Sequence, residues 1–117
     1  MKHVAFFGDG EKTFALPFEL IEELQRKTGV GIGALFQRVR ALQFGIADLS
    51  ETIRLALIGG GTDPKEAAAL VAAYVAKRPL ADSIPIVFAI LETVWFGVST
   101  DSQDDQRQAD MKESNHG

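Results

Sequence analysis

The chain has 117 residues, 46% of them hydrophobic and 24% charged, a composition that fits one small globular domain with a single core. It contains no cysteine, which excludes disulfides, zinc-thiolate sites and cysteine nucleophiles. The formal net charge of −4 argues against a protein that holds nucleic acid by neutralising phosphates.

The start of the sequence, MKHVAFF, lacks the apolar core of a signal peptide. No uninterrupted apolar run approaches the length of about 18 residues that a membrane-spanning helix requires. We therefore expect a cytoplasmic protein that does not contact a membrane.

Residues 99–117 differ in composition from the rest of the chain. They carry five acidic and two basic residues, and Met111 is their one large apolar side chain. Such a segment cannot offset the entropy that it would lose on ordering. The sequence thus predicts a single folded domain over residues 1–98 and a disordered acidic tail over residues 99–117.

The first sixteen residues predict a β-hairpin that turns within residues 8–11, Gly-Asp-Gly-Glu. One register pairs Phe6 with Thr13, and a register shifted by one residue pairs Phe6 with Phe14. The second is preferred, because register is set by burying one apolar face. It collects four apolar side chains on that face: Val4, Phe6, Phe14 and Leu16.

Five helices are predicted after the hairpin from apolar residues at helical spacing and from capping residues. Gly29 is expected to end the first helix, and Gly45 is expected to end the second. The glycines at 59–61 are expected to end the third helix and to form a hinge before the fourth. The expected segments are 17–28, about 32–43, 48–58 with a capping box at its start, 64–78, and a last helix that begins near Ser83 or Pro85. The sequence therefore predicts an α+β domain in which one N-terminal hairpin packs on a bundle of about five helices.

The last helix is apolar on almost every side, since only Glu92 and Thr93 interrupt it. Such a helix is the centre of a bundle, or a surface that a partner covers, or both. Trp95 and Phe96 point about 100° apart, so both cannot face the core equally. We expect the outward one to contact a partner protein. The exposed side of the hairpin around Phe7 is the alternative partner surface, and self-association is another way in which the excess apolar surface could be covered.

No catalytic, cofactor-binding or metal-binding pattern emerges from the sequence. The glycines at 29, 31 and 33 follow a helix rather than a strand and lack phosphate-loop spacing, so a helix cap and a close helix approach explain them better. His3 and His116 are not at metal-ligand spacing, and no serine lies in a G-x-S-x-G turn. We therefore expect a protein-binding protein without enzyme activity, cofactor, metal or small-molecule ligand.

Three segments resemble the tail assembly chaperone family of gene transfer agents and related long-tailed phages. They are FFGDGEKTFALPFELIEELQRKTGVGIGALFQRV, DLSETIRLALIGGGTDPKEAAALVAAYV and RPLADSIPIVFAILETVWFG. The resemblance covers about residues 4–97 in unbroken order and does not include the acidic tail.

The resemblance implies a non-enzymatic helper in the bacterial host cell, which binds the tape measure protein and tail-tube subunits while the tube polymerises and then leaves. Members of this family are described both as chaperones and as tail-tube components. The alternative is therefore a structural tube or terminator subunit that stays in the particle. The single predicted hairpin argues against that alternative, because tube subunits are typically built around a sandwich or barrel. A small acidic adaptor unrelated to phages is a third possibility.

Overall fold

The fold was determined as a computed structural model, which describes residues 1–97. A two-stranded antiparallel hairpin precedes five helices, which confirms the predicted α+β architecture. The elements are β1 (His3–Phe7), β2 (Gly10–Phe14), α1 (Phe18–Thr28), α2 (Ile32–Arg40), α3 (Ile46–Gly59), α4 (Pro64–Tyr74) and α5 (Leu80–Phe96). The predicted disordered tail, residues 99–117, lies outside the described residues.

Helix α3 is the centre of the domain and contacts α1, α4, α5 and β2. Its inward residues join apolar side chains of the hairpin and of α1, α2 and α5 in one continuous core. The largest fully buried side chains of this core are Phe14, Leu24, Leu35, Leu49, Ile53, Leu57, Ile90 and Leu91.

The predicted register of the hairpin is wrong. Gly8 and Asp9 are the two turn residues, so Phe7 pairs with Gly10 and His3 pairs with Phe14. Gly8 has a φ of +67° at the first turn position, the place where a type II′ turn requires a positive value. Because side chains alternate along a strand, this register turns the opposite face of β1 inward.

Contacts with α4 explain why this register is the stable one. The Phe7 ring packs edge-on against both Phe14 and Tyr74, with centroid distances of 6.0 Å in each pair. The Tyr74 ring also lies over Gly8, where an added Cβ would come within 2.6 Å of its Cδ2 atom. Phe7 is therefore buried, whereas Phe6 and Val4 lie on the exposed face.

The hairpin is joined to α3 through the backbone. The Ala15 N–H donates to the Ala56 carbonyl oxygen at 3.0 Å. A Cβ at Gly59 would overlap the Ala15 carbonyl oxygen, and one at Gly60 would overlap the Thr13 carbonyl oxygen. These two glycines therefore permit close packing of β2 on α3, and the prediction that the glycines at 59–61 end this helix is confirmed.

The connection between α2 and α3 also differs from the prediction. Helix α2 ends at Arg40 rather than near Gln43, because Leu42 adopts the left-handed conformation with a φ of 57°. Gly45 begins α3 rather than ending α2, and Asp48 lies in the first turn instead of at the cap. The Asp48 carboxylate nevertheless serves the helix start, since it accepts the Gly45 N–H at 2.7 Å and lies 3.2 Å from Arg38 Nη1.

The capping residues of α1 and α4 act as predicted. Gly29 ends α1 in the left-handed conformation with a φ of 79°. Asp63 caps α4 by accepting the N–H groups of Lys65 and Glu66, and Pro64 is the first helical residue. Helix α5 begins earlier than expected, at Leu80, so that Pro85 lies inside the helix.

Candidate partner-binding surface

Two aromatic side chains are exposed at the carboxyl end of α5. The exposed fractions are 54% for Trp95 and 59% for Phe96, whereas Val87, Ile90 and Leu91 of the same helix are buried. Helix α5 is thus a central member of the core that still presents aromatic rings at its end. The expectation that one ring of the pair points inward is wrong, because the helix turns Leu91 and Thr93 to the core instead.

Trp95 is fixed by contacts with α2. Its ring lies 5.4 Å from the Phe36 ring, measured between centroids, and Phe36 lies 5.6 Å from Phe88. The ring also lies over Gly33 of α2, where an added Cβ would meet it at an ordinary contact distance of 3.7 Å. The indole therefore has a defined orientation although more than half of its surface faces solvent.

These rings border a groove of about 240 Å³ between α2 and the second half of α5, which we call the α2–α5 groove. The Arg40 guanidinium lies over the Phe36 ring at 5.7 Å and gives one edge of the groove a positive charge. The groove is lined by Phe36, Gln37, Arg40, Phe88, Glu92, Trp95 and Phe96. An apolar floor with a few charged groups at the rim is typical of surfaces that bind protein segments.

A second groove, of about 200 Å³, lies between the hairpin turn, the end of α4 and the start of α5. Phe6 and Tyr74 supply its apolar walls, and Arg78 and Asp82 supply its charges. The sequence placed Phe7 on the exposed side of the hairpin, but Phe7 is only 5% exposed whereas Phe6 is 71% exposed. Phe6, which the sequence reasoning assigned to the core, is therefore the accessible aromatic residue of this strand.

Charged groups at the hairpin turn pair with one another. The Lys12 Nζ atom lies 2.8 Å from Asp9 Oδ1. The hydrogen bond from Lys12 lowers the pKa of Asp9, and the same bond raises the pKa of Lys12. This pair tightens the turn but does not arrange groups for acid or base chemistry.

Within residues 1–97, no group of three or more His, Cys, Asp or Glu side chains could hold a metal ion. Among the helices of that part, none combines the length and the hydropathy of a membrane span.

The comparisons with known proteins agree with the tail-related resemblance. No curated protein and no solved structure matches the chain. A protein-family model described as "Phage tail tube protein, GTA-gp10" matches residues 1–97, which is the whole of the described domain. Since this match spans well over half of the 117 residues, the chain belongs to the phage tail tube protein GTA-gp10 family.

Proposed function

We propose that the chain is a structural, non-enzymatic component of the tail of a phage or gene transfer agent, which binds tail-tube subunits and stays in the finished particle. The single observation that carries this proposal is the family match over residues 1–97, because the family is described as a tail tube protein. That description favours a retained component over a chaperone that leaves.

The α2–α5 groove is the surface that we assign to the tail-tube partner. Aromatic side chains in defined orientations dominate binding energies at protein interfaces, because they bury a large area at a small cost in conformational entropy. Trp95 meets this description, since Phe36 holds its ring while more than half of it faces solvent. Phe96 extends the same apolar surface along the rim of the groove.

A tail assembly chaperone is the second candidate function, and the fold favours it. Residues 1–97 form five helices and one hairpin of five-residue strands. Tube subunits are typically built around a sandwich or barrel of strands. A small helical domain with an aromatic groove is instead suited to covering an apolar helical segment, as a helper that binds the tape measure protein and tail-tube subunits would do.

Both candidates can be tested by mass spectrometry of two samples from the same particle preparation. One sample is the set of proteins that copurify with the tagged full chain from producing cells, and the other is the purified finished particle. A structural component is recovered in the particle in fixed proportion to the tube protein. A chaperone copurifies with tape measure and tube proteins but is absent from the particle. Recovery in neither sample would contradict both functions.

The binding surface is tested with Trp95→Ser and Phe96→Ser in the full chain, with purified tail-tube protein as the probe. Both side chains are more than half exposed, so the fold should survive. Loss of an aromatic anchor is expected to weaken binding by about 2 kcal/mol, or about 30-fold. The control is Phe6→Ser, which removes a still more exposed aromatic ring from the hairpin. If only the control weakens binding, the partner docks at the hairpin groove instead.

A further inference from the structure

The hairpin leaves the main chain of β1 open along its outer edge. Phe7 and Gly10 pair directly across the two-residue turn and therefore exchange two hydrogen bonds. Hydrogen-bonded and non-hydrogen-bonded pairs alternate along an antiparallel ladder, so the pairs that contain Val4 and Phe6 are not hydrogen-bonded. The N–H and C=O groups of Val4 and Phe6 thus point away from β2.

The outer edge of β2, in contrast, is closed by α3. The carbonyl oxygens of Thr13 and Ala15 lie against the glycines at 59–60, and the Ala15 N–H donates to a carbonyl of the same helix. Within residues 1–97, no hydrogen bond reaches Val4 or Phe6 from outside the hairpin. The sheet therefore has one covered edge and one open edge.

Strand β1 lacks the features that usually protect an open edge. Natural edge strands are blunted by proline, by lysine or by a bulge. The segment HVAFF has neither of these residues, and its pairing with β2 is continuous. Its two edge residues are instead apolar and exposed, to 36% for Val4 and 71% for Phe6. An apolar edge of this kind is a template for a further strand.

The hairpin groove adjoins this edge and restricts the charge of a strand that docks there. Phe6 and Phe7 point to opposite faces of the hairpin, yet both line the groove, so the groove reaches the edge of β1 near the turn. Arg78 and Asp82 supply one charge of each sign, and in the described part of the chain neither forms an ion pair. The charges of the lining residues sum to zero, which favours a neutral segment over an acidic or basic one.

Ser83 indicates which polar side chain such a segment carries. It lines the hairpin groove, and its Oγ atom is buried with no hydrogen-bond partner among the described residues. A buried hydroxyl without a partner is unfavourable, so a hydroxyl group from a docked strand would remove that penalty. Side chains of a strand alternate between its two faces. Hydroxyl side chains can therefore enter the groove while apolar ones continue the exposed face beside Val4 and Phe6.

We propose that the outer edge of β1 binds a neutral, extended segment of a partner protein as a third strand, with apolar and hydroxyl side chains alternating along that segment. The main-chain groups of Val4 and Phe6 bond to the main chain of the segment, and its hydroxyl groups face Ser83. This surface is separate from the α2–α5 groove. The inference goes beyond the proposed function, and either can fail without the other.

The first test uses a hexapeptide of alternating valine and threonine with blocked ends as the probe and the full chain as the receptor. When the peptide is bound, the amides of Val4 and Phe6 are expected to exchange with deuterium at least about tenfold more slowly. The matched control peptide has three valines followed by three threonines and should bind about tenfold more weakly. Unchanged exchange at Val4 and Phe6, or equal binding of the two peptides, would refute the proposal.

The second test removes the N–H of Val4. Proline is tolerated in an edge strand where the N–H faces solvent, so Val4→Pro should fold, as circular dichroism can check. It is expected to weaken peptide binding by at least about tenfold, whereas Val4→Ala keeps the N–H and should bind within about threefold of the unmodified chain. Peptide binding by Val4→Pro that equals that of Val4→Ala would contradict strand addition. Amide exchange in the unmodified chain tests the same contact if Val4→Pro does not fold.

Two other occupants of the edge would overturn the proposal. If the Val4 and Phe6 amides exchange slowly in the free chain and fast after deletion of residues 98–117, the chain covers its own edge. If Val4→Pro changes the sedimentation coefficient of the chain alone, a second copy covers it. Trp95→Ser should leave peptide binding unchanged, so that failure of this inference can be told apart from failure of the partner site in the α2–α5 groove.

Discussion

Replacing Gly59 with alanine is expected to destabilise the domain although alanine is the better helix former. In α3, alanine would gain up to about 1 kcal/mol in helix propensity. Its Cβ, however, would overlap the Ala15 carbonyl oxygen, a backbone atom that cannot rotate away. The hairpin would have to move off α3.

The size of the expected destabilisation follows from the contacts that are lost when the hairpin moves off α3. The hydrogen bond from the Ala15 N–H to the Ala56 carbonyl contributes about 1 kcal/mol. Forced displacement of the well-packed Phe14 and Leu16 costs about 1–3 kcal/mol more. After the propensity gain is subtracted, we expect Gly59→Ala to lower the free energy of unfolding by about 1–3 kcal/mol, or the melting temperature by about 5–20 °C.

Urea unfolding followed by circular dichroism measures this difference. The matched control is Gly10→Ala, because no atom lies within 4 Å of a Cβ added at that position. The control should change stability by no more than about 0.5 kcal/mol. If Gly59→Ala is as stable as the unmodified chain, or more stable, the close approach of β2 to α3 does not restrict this position and the reasoning fails.

Three further predictions concern the hairpin and α4. Phe14→Ala should lower the free energy of unfolding by about 3–5 kcal/mol in urea, whereas Phe6→Ala should change it by less than about 0.5 kcal/mol; equal effects would contradict the observed register. The Lys12 bond that lowers the pKa of Asp9 stabilises the fold above the ordinary carboxylate pKa, and this contribution is lost as the pH falls below about 4. In an NMR titration, Lys12→Met should therefore raise the Asp9 pKa. Asp63→Ala should lower the free energy of unfolding by about 1 kcal/mol, because α4 loses its N-terminal cap. An unchanged melting temperature would show that the cap is dispensable.

Elements with a strong local signal could be predicted from the sequence. The start of α4 depends on Asp63 and Pro64, which act within one helical turn, and the end of α1 depends on Gly29. The inward faces of α2 and α4 follow from apolar spacing, and Leu35, Phe36 and Leu70 are buried as that spacing requires.

Other features depend on residues that are distant in the sequence. Tyr74 packs on the hairpin turn and favours the register that buries Phe7, and no pattern within the first sixteen residues contains that information. The end of α2 at Leu42 runs against the conformational preference of leucine, so composition could not indicate it.

The candidate site also combines a feature that the sequence indicates with one that depends on residues distant in the sequence. Exposure of Trp95 and Phe96 follows in part from an apolar helix that has more apolar surface than one core can bury. The α2–α5 groove depends on the contact between Trp95 and Phe36, which only the tertiary structure brings together.

Pro85 gives α5 a weak point that affects the hairpin groove. Proline has no N–H, so the carbonyl of Ala81 lacks its helical hydrogen bond, and both residues face solvent. The turn at 80–84 is therefore held less tightly than the segment around Ile90, and its amides should exchange with deuterium faster. Because Asp82 and Ser83 of this turn line the hairpin groove, local opening there would widen the groove while the buried half of α5 stays folded.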